Sequence, residues 1–148
     1  MRGFEKARGY ERVYYPKRST EKSAGYDFAV CEDLTIQPGE IALAKTGIKA
    51  YMNKDEVLKL YPRSSLPRKF FLTIPNNVGV IDADYYGNED NDGAIFIQLY
   101  NFGNKPQTLK AGTRIAQGIF VKYLTVEEDN DMPNKTRRGG FGSTGMNA

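Results

Sequence analysis

Histidine does not occur in the 148 residues of this chain. Its absence removes Ser-His-Asp and Cys-His activation of a nucleophile, and every zinc site that needs an imidazole. Cysteine is nearly missing too. Cys31 stands alone, so the chain can form neither an internal disulfide nor a thiolate metal site. A lone thiol suits a reducing compartment, and a cytoplasmic location is expected. No apolar run approaches the roughly 20 residues of a membrane span, and the opening stretch MRGFEKARGYERVYY has no uninterrupted apolar segment of the signal-peptide kind. No membrane partner is expected. A dense basic stripe is also lacking. The net charge is only +3 and the basic residues are scattered, so a nucleic-acid partner is not expected, whereas a small anion accounts for local Arg and Lys. The remaining chemistry runs on carboxylates, amides, hydroxyls, arginines, lysines, tyrosines and backbone dipoles, with any metal held by oxygen.

What is present reads as a β protein. Hydrophobic residues make up 40% of the chain and charged ones 26%, enough to bury a core within one domain. Turn signals recur densely, among them QPGE at 37–40, PNN at 75–77, NEDNDG at 88–93 and KAGT at 110–113. Apolar residues between them alternate with a period of two. Ile95, Ile97 and Leu99 oppose Phe96, Gln98 and Tyr100. Ile115, Gln117, Ile119, Val121 and Tyr123 oppose Ala116, Gly118, Phe120, Lys122 and Leu124. VLKLY at 57–61 reads as a further strand, and no long helical pattern appears. The expected architecture is all-β, a jelly-roll-type barrel over 1–124. Residues 125–148 break the pattern: a polar, first acidic linker, then a flexible glycine-rich C-terminal arm.

Five stretches carry candidate chemistry. GVIDADYYG at 79–87 sets Asp82 and Asp84 two apart, on one face if the segment is a strand. They form either a paired carboxylate site or a solvated hairpin. Tyr85 and Tyr86 offer aromatic faces, to a sugar or base or to the core. YPRSSLPRKF at 61–70 places Arg63 beside Ser64 and Ser65 in a proline-framed loop, a phosphate clamp or a surface turn. SAGYDFAV at 23–30 puts Asp27 where a turn meets a strand. AGTRIAQGIF at 111–120 sets Arg114 and Gln117 on opposite strand faces, with Gln117 on the apolar-looking side and in need of a partner. RRGGFGSTG at 137–145 combines glycines with Phe141, Ser143 and Thr144. It lacks the lysine of a P-loop, which leaves a phosphate-ordering arm or a low-complexity end.

In set and order, AGYDF, PRSSL, GVIDADYYG, GTRIAQ and GGFGSTG resemble the five motifs of the homotrimeric dUTP pyrophosphatase (dUTPase) family. The YYGNEDNDG continuation is similar to Gram-positive bacterial and phage forms. The resemblance implies a jelly-roll subunit and a homotrimer with shared active sites. It also implies Mg²⁺-dependent hydrolysis of dUTP to dUMP and pyrophosphate, by water attack on the α-phosphorus. Asp82 matches the carboxylate that activates water. Tyr85 matches the residue under the deoxyribose, and the hairpin from Asn76 to Val80 the segment that reads uracil. Arg63, Ser64, Ser65 and Gln117 match the phosphate side. Asp27 matches a supporting carboxylate near the metal's water shell, with no direct protein ligand to the metal. Phe141 matches the aromatic that stacks on uracil, and Ser143 and Thr144 the arm's phosphate ligands. The family's arm arginine commonly lies five residues before the phenylalanine, where this chain has Thr136; Arg137 is taken for that role, with Arg138 next to it.

Two rivals stay open. A dCTP deaminase shares the fold and an RSSL-like motif but has different surroundings for the third motif. A regulatory role with a protein partner follows if the chain is phage-encoded, and NEDNDG looks exposed enough to carry it.

Overall fold

The computed structural model describes residues 1–127, 129, 139–140 and 145–146. Among them the strands are β1 (Gly3–Lys6), β2 (Lys17–Arg18), β3 (Tyr26–Ala29), β4 (Leu34–Ile36), β5 (Ile41–Lys45), β6 (Ile48–Tyr51), β7 (Glu56–Pro62), β8 (Leu72–Thr73), β9 (Gly79–Asp82), β10 (Phe96–Asn101), β11 (Gln107–Leu109) and β12 (Arg114–Lys122). All pairings are antiparallel. The largest sheet runs β2-β3-β12-β7-β9; a second runs β5-β10-β8; β1-β6 and β11-β4 are two-stranded. This is the all-β, jelly-roll-type arrangement that the alternation predicts. No helix among the described residues is long and apolar enough to cross a membrane.

One core gathers side chains from every sheet: Phe28 of β3, Leu58 and Leu60 of β7, Ile97 and Leu99 of β10, Ile36 of β4, Leu109 of β11 and Ile48 of β6. The predicted faces of β10 hold, with Ile97 and Leu99 buried and Phe96, Gln98 and Tyr100 on the other side. The strand closes on Asn101, fully buried and fully partnered. Its Nδ2 donates to the carbonyls of Ile36 and Lys105, and its Oδ1 accepts from Gly103 N. A buried amide so satisfied ties three segments together without a desolvation penalty. At the N-terminus, Phe4 of β1 packs on Tyr26, Phe28 and Phe120 at ring distances of 5.4–5.5 Å. Arg2 pairs with the buried Glu56 and holds its carboxyl below the usual range.

Five expectations need correction. In β12 the core face is Ala116 and Gly118, not the face of Gln117 and Ile119. A register shift between Arg114 and Ala116 explains it: the extra residue of the bulge lets Ile115 join the core while the alternation after it is reversed. The bulge also places Arg114 and Gln117 on one face, since they pair with Ala29 and Asp27, two apart on β3. Asp84 does not share a strand face with Asp82. β9 ends at Asp82 and a 3-10 turn follows at Ala83–Tyr85, leaving Asp84 exposed. The second half of YPRSSLPRKF is not a surface turn but a short helix, α1 (Leu66–Phe70), which Pro67 suits because it lies in the first turn. NEDNDG is not an open loop. Asn88 and Gly93 are buried, and only Glu89 and Asp90 are exposed.

Candidate active site

The predicted site residues fall into two groups, on opposite sides of β7. The first lies along β9, the outer strand of the five-stranded sheet. The turn before it is tight. Asn77 takes φ 65° and its N–H donates to Ile74 O, while Val78 N donates to Asn76 O. An outer strand keeps one edge outside the ladder, so its main chain can face a ligand. Beside it lies a cavity of about 270 Å³ lined by Asn76, Val80, Asp82, Tyr85, Phe96 and Gln98, among others. Asp82 ends β9 in extended conformation, φ −77° and ψ 157°, half-buried. Tyr85 is both a core residue and part of the lining: its side chain belongs to the hydrophobic core, while its ring edges the cavity. Its hydroxyl donates to Ala94 O at 2.7 Å and accepts from Asn91 Nδ2 at 2.9 Å.

Gly140 lines one side of this cavity, and Gly139 precedes it. Gly139 is buried, and a Cβ there would stand 2.5 Å from Asp90 Oδ2; one on Gly140 would stand 3.1 Å from Tyr85 Cε1. Only residues without side chains allow so close an approach. Arg137, Phe141, Ser143 and Thr144, also expected in the site, lie outside the described residues.

The second group centres on Asp27. Its side chain is 11% exposed, accepts hydrogen bonds from Ser19 Oγ at 3.0 Å and Arg114 Nη1 at 3.2 Å, and forms an ion pair with Arg63 Nε at 3.4 Å. Two arginines are thus held in place by one carboxylate. Gln117 sits opposite Asp27 in the β3–β12 register, and its Nε2 donates to Pro62 O at 3.4 Å. Its side chain lies over Gly25, where a Cβ would meet Gln117 Oε1 at 2.6 Å. Ser64 and Ser65 form the turn between β7 and α1. Ser65 occupies the N-cap position without a side-chain capping bond, and Ser64 is exposed. A groove of about 560 Å³ runs past Asp27, lined by Tyr14, Tyr15, Lys17, Arg18, Ser19 and Arg114, among others. With three cations against one carboxylate, it suits an anion. Sequence reasoning did not foresee Ser19, Lys17 or Arg18, although PKRS at 16–19 is a readable basic cluster; nor did it foresee the Arg114–Asp27 pair, which depends on the β12 bulge.

Asp82 and Arg63 do not meet within one chain. Asp82 pairs with Val57 on one edge of β7, and Gln117 with Tyr61 on the other. Arg63 follows the end of β7, six residues beyond Val57. At about 3.3 Å per residue, that puts Arg63 roughly 20 Å along the strand from Asp82. No cluster of three or more acidic, cysteine or histidine residues suited to a metal occurs among the described residues. Asp27, already engaged by Ser19 and two arginines, suits an outer-shell role towards a hydrated cation better than direct ligation.

A family model described as dUTPase matches residues 11–145. The chain is 48% identical over 147 residues to the deoxyuridine 5'-triphosphate nucleotidohydrolase of Lactococcus lactis, covering 98% of each chain. It is similar to the crystal structure of dUTPase from Streptococcus mutans, with a TM-score of 0.83 and 47% identity, over 84% of this chain and 98% of that one. The dUTPase of Staphylococcus bacteriophage 80alpha shares the fold with a TM-score of 0.73 at 21% identity, over 91% of this chain and 97% of that one.

Proposed function

The chain belongs to the dUTPase family, in its Gram-positive form, and from that membership we infer that it hydrolyses dUTP to dUMP and pyrophosphate. The observation that carries the reading is the pairing of a carboxylate-bearing cavity on an outer strand with a separate cationic site built on Asp27.

In this reading uracil lies against the Asn76–Val80 turn, where main-chain N–H and C=O groups serve as a base-pairing edge. A 5-methyl group finds no room there, and a cytosine edge leaves buried polar groups unpaired. The deoxyribose rests on Tyr85. Asp82 takes the proton of the water that attacks the α-phosphorus, so the carboxylate gains a proton as the new P–O bond forms and the bond to pyrophosphate breaks. Arg63 and Gln117, with the Ser64 and Ser65 hydroxyls, hold the phosphates and offset the charge that develops on the leaving group. Mg²⁺, when bound, would supply further charge neutralisation. Asp27 fixes Arg63 and orients water around that cation.

Because Asp82 and Arg63 of one chain stand so far apart, each complete site takes its two halves from different copies. A homotrimer satisfies this by rotation. Exposed Ile41 and Leu43 on β5, and the exposed Phe71–Phe102 pair with rings 6.0 Å apart, offer apolar surface for such assembly. Residues 125–148 act as linker and arm. Arg137, Phe141, Ser143 and Thr144 close over the nucleotide and exclude bulk water. A cytoplasmic nucleotide enzyme is the accompanying location.

The test is pyrophosphate release from dUTP, dCTP, dTTP and UTP with Mg²⁺, in the wild type and Asp82→Asn. Release from dUTP alone is expected. The variant should lose about 10²–10⁴-fold in kcat with an unchanged melting temperature. Ammonia release from dCTP would point to a deaminase instead, and a wild type inert towards dUTP would defeat the reading.

A further inference from the structure

Tyr85 meets the cavity with its ring while its hydroxyl both donates and accepts elsewhere. The phenol donates to Ala94 O and accepts from Asn91 Nδ2. Asn91 is in turn locked: its Oδ1 accepts from Asn88 Nδ2 at 2.8 Å and from Gly93 N at 3.0 Å. Asn88 is buried. Its Nδ2 also donates to Tyr85 O at 2.8 Å, and its Oδ1 accepts from the N–H groups of Asp90 and Asn91. Gly93 completes the packing at φ 89°, where a Cβ would meet Gly87 N, Tyr85 O and Tyr86 Cα at 2.9 Å. The 88–93 loop is thus a closed hydrogen-bonded ring built around one tyrosine, and Asn91 is the member that reaches the phenol.

We propose that Asn91 is a specificity-determining positioning residue: by occupying the Tyr85 hydroxyl it makes the tyrosine present only ring carbon to the sugar, and so enforces deoxyribose over ribose. The inference rests on the dUTPase reading given above. A ribose 2′-hydroxyl pressed against aromatic carbon loses water and gains no partner, which is costly. A phenol with a free lone pair, or free to tilt, would give that hydroxyl a partner. Fixing the phenol within the loop removes the option before substrate arrives, so discrimination needs no rearrangement in the complex.

Asn91→Asp is the suited probe. A carboxylate at this position still accepts from Asn88 Nδ2 and Gly93 N, so the loop keeps its internal bonds. It cannot donate to the phenol, and it competes with Ala94 O for the phenol's proton. Any effect of the added charge acts alike on dUTP and UTP, which carry the same triphosphate, and cancels in their ratio. Steady-state kcat/KM would be measured for dUTP and UTP with wild type, Asn91→Asp, Tyr85→Phe and the double variant, alongside melting temperatures. The expected result is that Asn91→Asp lowers the dUTP/UTP ratio by about tenfold, and that it has no further effect on the ratio in the Tyr85→Phe background. An active Asn91→Asp enzyme with an unaltered ratio overturns the proposal alone. So does an equal drop in both backgrounds. A wild type inert on dUTP overturns the parent reading and takes this one with it.

Discussion

Gly25 leaves no room for a side chain, because a Cβ would stand 2.6 Å from Gln117 Oε1 and 3.0 Å from Gln117 Cβ. The glutamine tip could swing away, but its Cβ is fixed to β12. A methyl at Gly25 therefore moves the amide off the Pro62 carbonyl without opening the core. Gly25→Ala should lose about tenfold in kcat/KM for dUTP, as expected when a positioning group is displaced, with a melting temperature close to wild type. Initial rates beside a thermal melt decide it; a large stability loss with unchanged rates would make the contact purely structural. At this scale the sequence was partly legible. Asp82 and Asp27 stand out as carboxylates in short, unusual stretches. Their settings do not. Asp84 looks like a partner of Asp82 on any strand pattern, and only the 3-10 turn that begins at Ala83 turns it outward. The partners of Asp27 are Ser19, Arg63 and Arg114, which no local spacing connects.

The 88–93 loop shows how a connection becomes part of the scaffold. Asp92 takes φ 61° and anchors the loop to the N-terminal segment. Its Oδ2 accepts from Lys49 Nζ and from Arg8 N, both at 2.9 Å. The Lys49 hydrogen bond, then the Arg8 N–H, hold its carboxyl below the ordinary value. For Lys49, burial pulls the ammonium down, but its bond to Asp92 and the charges of Asp92, Tyr86 and Glu5 outweigh that and leave it raised. A depressed carboxyl contributes stability that is complete above its unfolded value, about 3.9 for Asp, and is lost as pH falls through the folded value. A raised ammonium contributes below its unfolded value, about 10.4, and loses that contribution as pH rises further. Melting temperature should thus stay level from neutral pH to about pH 4 and drop below it. Asp92→Asn should start lower and show a shallower acid limb. An acid limb identical to wild type would remove Asp92 from the account. The alternation of β10 could be read directly because the strand is regular. That of β12 could not, because a bulge of one residue reverses every face beyond it, and a polar run such as NEDNDG reads as open loop unless its amides are known to face inward.

At the scale of the whole molecule, the order of five short motifs was enough to identify the family, but not to say how a site would be apportioned between chains. That apportioning depends on the register of β7, with Asp82 beside Val57 and Gln117 beside Tyr61. It can be tested with two inactive proteins. Asp82→Asn and Arg63→Ala, each nearly dead alone, are unfolded together, mixed in equal amounts and refolded. Random assembly of a cyclic oligomer gives roughly a quarter of its sites both intact halves, so roughly that share of wild-type activity should return. No recovery would mean that each chain completes its own site. If the sites are shared as proposed, the same separation would make the enzyme sensitive to dilution. A protein whose catalytic carboxylate and phosphate clamp reside on different copies loses its active site on dissociation, even while every subunit stays folded. Specific activity would then fall with concentration by mass action, so that scarcity of the protein would switch it off more sharply than a count of molecules suggests.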